Sequence, residues 1–151
     1  MKCYINNDWN FSLDIPVNWD VFPPVLTNSP FEVIRFVSRE DGTHMLVVFR
    51  EPYDPKRSAE MHSQLVEAKL EKLGFSNFVP GKAIIGPQIV ATLNFDKPLE
   101  DGIWSCRHYF MANSSTLMYV LGFGTTNWNG MSGLFGRMTQ SFTAETAAEP
   151  D

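Results

Sequence analysis

Charge is scarce in this sequence, and positive charge scarcest. Only 19% of the 151 residues are Asp, Glu, Lys or Arg, and 12 basic side chains face 17 acidic ones, for a formal net charge of -5. A nucleic-acid binder draws much of its affinity from neutralising phosphates and carries a basic surplus, so the balance argues against that class. Cysteine is nearly absent. Cys3 and Cys106 are the only two, and they form no Cys-x-x-Cys pair. They are too few to staple a scaffold, and the expectation is two free thiols in a reducing compartment. Histidine is limited to His44, His62 and His108, none in a His-x-x-x-His frame, so neither metal nor cofactor is expected. No apolar run reaches the ~18 to 20 residues of a bilayer span. The start of the chain leads into polar Asn6-Asn7-Asp8 rather than an apolar signal core, and the expected location is the cytoplasm.

What is present is ordinary globular material, 44% hydrophobic and 13% aromatic. That is enough for one domain with one continuous core, expected over residues 1–142. The acidic tail 143–151 has no apolar anchor and reads as disordered.

Period-2 patterning dominates. Trp9, Phe11, Leu13 and Ile15 alternate with Asn10, Ser12 and Asp14, a half-buried strand that Pro16 should end. Asn18, Trp19, Phe22, Pro23 and Pro24 then read as an aromatic, proline-rich loop. From Phe31 to Arg39 and Thr43 to Arg50 the chain is rich in Val, Ile and Phe around Asp41-Gly42. This predicts a hairpin with a two-residue turn. Its register would pair Phe36 with Val47 and Ile34 with Phe49. One face would then be core, carrying Ile34, Phe36, Met45, Val47 and Phe49; the other would be mixed, carrying Val33, Arg35, Val37, Arg39, His44, Leu46, Val48 and Arg50. Further extended segments are expected at Ala83 to Phe95, Ile103 to Ala112 and Thr116 to Phe123.

The period changes to 3.6 twice. Ser58 can cap a helix that Gly74 stops, with Met61, Leu65 and Ala68 on one row and Val66, Leu70 and Leu73 on the next. Trp128, Met131, Phe135, Met138 and Phe142 form one face of a second helix. Gly130, Gly133 and Gly136 each cost it ~1 kcal/mol relative to alanine, so packing must hold it. The expected fold is α+β, an α/β/α sandwich with a central antiparallel sheet and two main helices.

Three constellations could carry function. Cys106 and His108 stand two apart on a strand, the minimum for a thiol nucleophile; this is the alternative reading, a small cysteine-dependent hydrolase or transferase. Gly122-Phe123-Gly124 lacks the third glycine of a dinucleotide loop, with Asn127 in its place, and reads instead as a strand end where the last helix packs closely. The mixed hairpin face concentrates arginines in an acidic protein. Arg35, Arg39 and Arg50, with His44, Leu46 and nearby Phe22, are read as a site for a partner protein, aliphatic side chains giving area and arginines charge-assisted bonds.

The order of motifs resembles the PsbP-like superfamily. It is carried by Phe11-Ser12-Leu13-Asp14-Ile15-Pro16-Val17-Asn18-Trp19, Lys72-Leu73-Gly74-Phe75, Tyr109-Phe110, Tyr119-Val120-Leu121, and Phe135 through Ser141-Phe142. That superfamily takes in a photosystem II extrinsic protein, a yeast import factor acting on the Ran GTPase, and small bacterial proteins, among them chaperones for type VI secretion effectors. The resemblance implies a sandwich without catalytic residues or cofactor. The function expected is therefore non-enzymatic: an adaptor or chaperone that holds a partner protein by a sheet face or end loops, with homodimerisation left open.

Overall fold

The computed structural model describes residues 1–54 and 56–145. Its backbone is α+β, with two antiparallel sheets and two helices. The larger sheet has seven strands in the order β3-β4-β5-β9-β8-β7-β6, and the smaller has three in the order β1-β2-β10. The strands are β1 (Lys2–Asn6), β2 (Phe11–Ile15), β3 (Trp19–Phe22), β4 (Glu32–Ser38), β5 (His44–Pro52), β6 (Ser76–Ile85), β7 (Gln88–Leu99), β8 (Gly102–Ala112), β9 (Leu117–Thr125) and β10 (Thr143–Ala144). The helices are α1 (Ala59–Lys72) and α2 (Trp128–Ser141).

Strand alternation sorts the core into two clusters on opposite faces of the large sheet. One face carries Ile34, Phe36, Leu46, Val48, Tyr109, Tyr119, Leu121 and Phe123, packed with Phe135 and Met138 of α2 and with Phe11, Leu13 and Ile15 of β2. The other carries Leu93, Phe95, Phe110, Met118 and Val120 under Val66 and Leu70 of α1. Phe135 is the centre of the first cluster, stacked on Phe123 at 4.6 Å between ring centroids and edge-on to Trp19 at 6.5 Å.

Both helices start and stop for local reasons. Ser58 Oγ accepts a hydrogen bond from Met61 N at 3.1 Å, and Gly74 ends α1 at φ +93°. Asn127 Oδ1 accepts from Gly130 N at 3.1 Å to open α2. The glycine-rich α2 is held by packing, since its predicted row Trp128, Met131, Phe135, Met138 and Phe142 all lies against the first cluster. The stripe on α1 is narrower than its sequence suggests. Met61, Leu65 and Leu73 are exposed, and only Val66 and Leu70 of the two rows reach the sheet, joined by Ala59.

Several expectations are corrected. Trp9 and Asn10 belong to the turn of a β1–β2 hairpin, with Asn10 at φ +55°, so the alternating strand starts at Phe11. β1 escapes the pattern because its Ile5 points to solvent, 64% exposed. The segment beginning at Trp19 is strand rather than loop, because Trp19 is buried and the edge pairs with β4, Phe22 opposite Arg35. The expected single segment from Ala83 to Phe95 is divided by a turn at Gly86 and Pro87 into β6 and β7. Thr143 and Ala144 pair with β2 instead of opening a disordered tail; the expectation for 146–151 lies outside the described residues.

Candidate functional site

The hairpin around Asp41 decides which side chains share a surface. Its connection spans residues 39 to 43, not two residues. Asp41 organises it: the carboxylate accepts bonds from Thr43 N at 3.1 Å and Ser38 Oγ at 3.0 Å, and these bonds, that from Thr43 N foremost, hold its pKa below the ordinary range. The longer loop sets the register at Phe36↔Leu46, Arg35↔Val47 and Ile34↔Val48. A slip of one residue turns every β5 side chain to the other face relative to β4. The expected mixed face therefore does not exist as one surface.

Its residues divide as follows. Leu46 and Val48 join the core under α2, both 0% exposed, so Leu46 offers nothing to a partner. Arg50 is on that side too: its Nε donates to Tyr119 Oη at 3.1 Å and its guanidinium lies 3.9 Å from the centroid of the Trp9 ring. Tyr119 Oη in turn donates to Trp9 O at 3.1 Å, so Arg50 clamps the turn of the first hairpin onto the large sheet. His44 Nδ1 is 2.8 Å from Thr125 Oγ1 beside the start of α2.

Arg35, Phe22 and Val37 lie on the opposite face, joined there by Met45 and Val47. Arg35 is engaged: its Nη2 donates to Glu32 Oε2 at 2.9 Å. Burial pushes the Glu32 carboxyl up, but bonds from Arg35, Asn28 and Val25 outweigh it and keep the group ionised below its usual pKa. Arg39 reaches Asp20 across β3 at 2.9 Å, with both side chains well exposed. Phe22 stays 45% exposed at the sheet edge.

Cys106 and His108 do share a face, as expected, but their chemistry is wrong for a nucleophile pair. Burial pushes the Cys106 thiol up to about 12, keeping it protonated. The His108 ring sits among Phe95, Phe49 and Phe110 at 5.1, 5.8 and 6.1 Å. Burial drives its pKa down to about 4, opposed by the charge of Glu51. Glu51 does not orient His108, because its Oε2 is bonded to His62 Nε2 at 2.8 Å. Thiol and imidazole are both held neutral, the reverse of a thiolate–imidazolium pair.

The glycines of β9 belong to this face and not to the α2 side. A Cβ on Gly122 would stand 2.8 Å from His108 Nε2, and one on Gly124 2.9 Å from Trp104 Cε3. Their role is to let His108 and Trp104 lie flat on the strand, not to admit the last helix.

The result is a face covered over only part of its width. Helix α1 packs on β6, β7 and β8, and α2 packs on the opposite face. On the α1 face Val37, Met45, Trp104 and Cys106 are half-buried, and Val47 is 7% exposed. Two cations border the strip on the same face, Arg35 opposite Val47 and Lys97 opposite Trp104, and the ion pairs Arg39–Asp20 and Arg35–Glu32 stand at the β3–β4 rim. Sequence reasoning missed Met45, Val47 and Trp104. The one signal for them was Gly122 and Gly124, whose spacing of two marks a strip where flat side chains replace a Cβ.

No family model matches the chain, and no curated protein does. Solved structures do. The chain matches the solution structure of cyanobacterial PsbP (CyanoP) from Synechocystis sp. PCC 6803 with TM-score 0.72 and 13% identity, covering 95% of this chain and 91% of that one. It matches LpqN, described as involved in cell envelope biogenesis of Mycobacterium tuberculosis, with TM-score 0.60 and 12% identity over 95% and 90% of the two chains. A crystal structure from Bacteroides thetaiotaomicron VPI-5482 is matched at TM-score 0.66 and 12% identity, over 99% of this chain but 50% of that one. Sequence identity this low speaks for the backbone alone, and on that evidence the chain has a PsbP-like fold.

Proposed function

We propose that the protein is a non-enzymatic binding module, an adaptor or chaperone acting in the cytoplasm, that holds a partner protein on the open part of the sheet face beside α1. The observation that carries this reading is the incomplete cover: α1 packs on β6, β7 and β8 at one side of the face, while Val37, Met45 and Trp104 at the other side stay only half-buried. Apolar area bordered by charged side chains is the anatomy of an interface core and rim. Phe22 and Arg39 extend the surface at the edge. The PsbP-like fold of the matched structures is consistent with an accessory role of this kind.

The test is substitution of Val37 and of Met45 by Glu, one at a time, with Ile5→Glu on the small sheet as control. Capture of the partner in a co-purification should be lost in the first two and kept in the control. Equal capture by all three would reject the surface, and a collapse in melting temperature with Val37→Glu or Met45→Glu would show that the residue packs the fold rather than a partner.

A further inference from the structure

The large sheet splits at one end. The ladder between β7 and β8 stops at Ala91↔Phe110. Beyond it, β7 continues through Val90, Ile89 and Gln88 against β6 alone, and β8 continues through Met111 and Ala112 against β9 alone. In an antiparallel ladder successive residues turn their N–H and C=O alternately to the two sides. Asn113 N donates to Leu117 O on the β9 side at 2.9 Å, so Ala112 turns its backbone pair toward β7. By the same alternation from Ala91, Ile89 turns its pair toward β8. These would form the next rung, and the rung is not made.

Ala112 lines a cavity here, and Ala144 stands on the same cavity. Glu145 N donates to Asn10 O at 3.0 Å, so Thr143 and the Glu145 N–H turn toward β2, Glu145 O accepts from Asn113 Nδ2 at 3.0 Å, and Ala144 turns its N–H and C=O away from β2. The cavity between these edges has a volume of about 370 Å³ and is walled by Gln88, Met111, Asn113, Gln140 and Phe142 among others, with no charged side chain among the described residues that line it. Gln140 fixes its shape: the amide accepts from Gly86 N at 3.1 Å and donates to Ile84 O at 2.7 Å, tying the tip of the β6–β7 hairpin to α2.

We infer that this slot takes a strand: an extended, uncharged peptide segment of a partner protein, pairing with the backbone groups that Ala112 and Ala144 present in the slot and Ile89 presents on the β7 edge. Three residues of extended chain span roughly 10 Å, the reach of β8 from Met111 to Asn113. Main-chain pairing supplies the affinity in such strand addition, and the neighbouring side-chain walls supply the selectivity. The described walls carry no countercharge, so a charged residue would enter at a desolvation cost. This site lies apart from the open face beside α1 and does not depend on it.

The experiment is an amide NMR titration of the full chain with acetyl-Val-Thr-Val-amide up to about 5 mM, an affinity range suited to a short probe. Shifts should be confined to Ile89, Ala112, Ala144 and the residues around Gly86, and exchange of the Ala112 amide should slow. Ala112→Pro removes the donor without breaking a rung to β9, a position an edge strand tolerates, and should weaken binding at least tenfold. Should that variant fail to fold, Gln88→Lys on the exposed wall gives the second arm: it should bind acetyl-Asp-Thr-Asp-amide more tightly than the Val peptide, reversing the order seen in the unaltered chain. No shifts at the top concentration, shifts on Val37 and Met45 instead, or unchanged binding by a folded Ala112→Pro would overturn the proposal. So would movement of the slot amides with protein concentration alone, which would assign the slot to a second copy of the chain.

Discussion

Acidification should destabilise this protein through one side chain before its carboxylates begin to protonate. His108 is half-buried, with its ring among Phe49, Phe95 and Phe110 and against Gly122. Burial lowers its pKa from 6.5 to about 4 in the folded state. A base whose folded pKa is depressed takes up its proton more readily when unfolded, so stability falls as pH drops through the unfolded value and levels off below the folded one. Between pH 7 and pH 5 only the unfolded chain binds this proton, and the linkage amounts to about 2 kcal/mol, rising to about 3 kcal/mol by pH 4. Glu32 and Asp41 carry depressed carboxyl pKa values, and their contribution is also lost on acidification, but at lower pH. The difference between the unaltered chain and His108→Gln isolates the imidazole. Urea melts of both at pH 7, 6 and 5 should show the gap between them closing by about 2 kcal/mol as pH falls. Parallel stability curves for the two proteins over that range would refute the reasoning, and with it the claim that the ring is kept neutral by its aromatic enclosure.

Two further expectations test the core. Phe135→Ala removes the ring between Trp19 and Phe123 at a position with 0% exposure and should cost about 3 to 5 kcal/mol in a denaturant melt. On α1, Leu70→Ala should cost about 2 kcal/mol because Leu70 packs on the second cluster, while Leu65→Ala, 43% exposed, should change stability by less than about 0.5 kcal/mol.

Much of the fold was legible because its signals are local. Ser58 and Gly74 bracket α1 as caps do anywhere, and the row from Trp128 to Phe142 faces the core despite three glycines. The antiparallel strands after α1 follow from short connections rich in turn residues. What was not legible depends on partners distant in sequence. β1 has little pattern because its outer face meets solvent, and it exists because Tyr4 opposes Leu13. Trp19 and Phe22, set among prolines, read as loop, and only the edge of β4 makes them a strand. The exposed row Met61, Leu65 and Ala68 satisfies helical periodicity as well as a buried one, so composition could not say which row meets the sheet.

The candidate site turned on a smaller matter, the length of one turn. Asp-Gly favours a two-residue connection, but Asp41 spends its carboxylate on Thr43 N and Ser38 Oγ, which closes a five-residue loop. That moves the register by one, and a strand has only two faces, so the whole β5 set changes sides. Arg35 and Arg50 are thereby separated by the thickness of the sheet, and each meets a different fate. Arg35 is neutralised by Glu32 at the rim, and Arg50 is laid against the Trp9 and Tyr119 rings as part of the fold. An arginine cluster in the sequence thus becomes, in space, one structural clamp and two edge ion pairs. What remains for a partner is an apolar strip edged by Arg35 and Lys97, in which two glycines, a methionine, two valines and a tryptophan lie beside the strands that α1 covers.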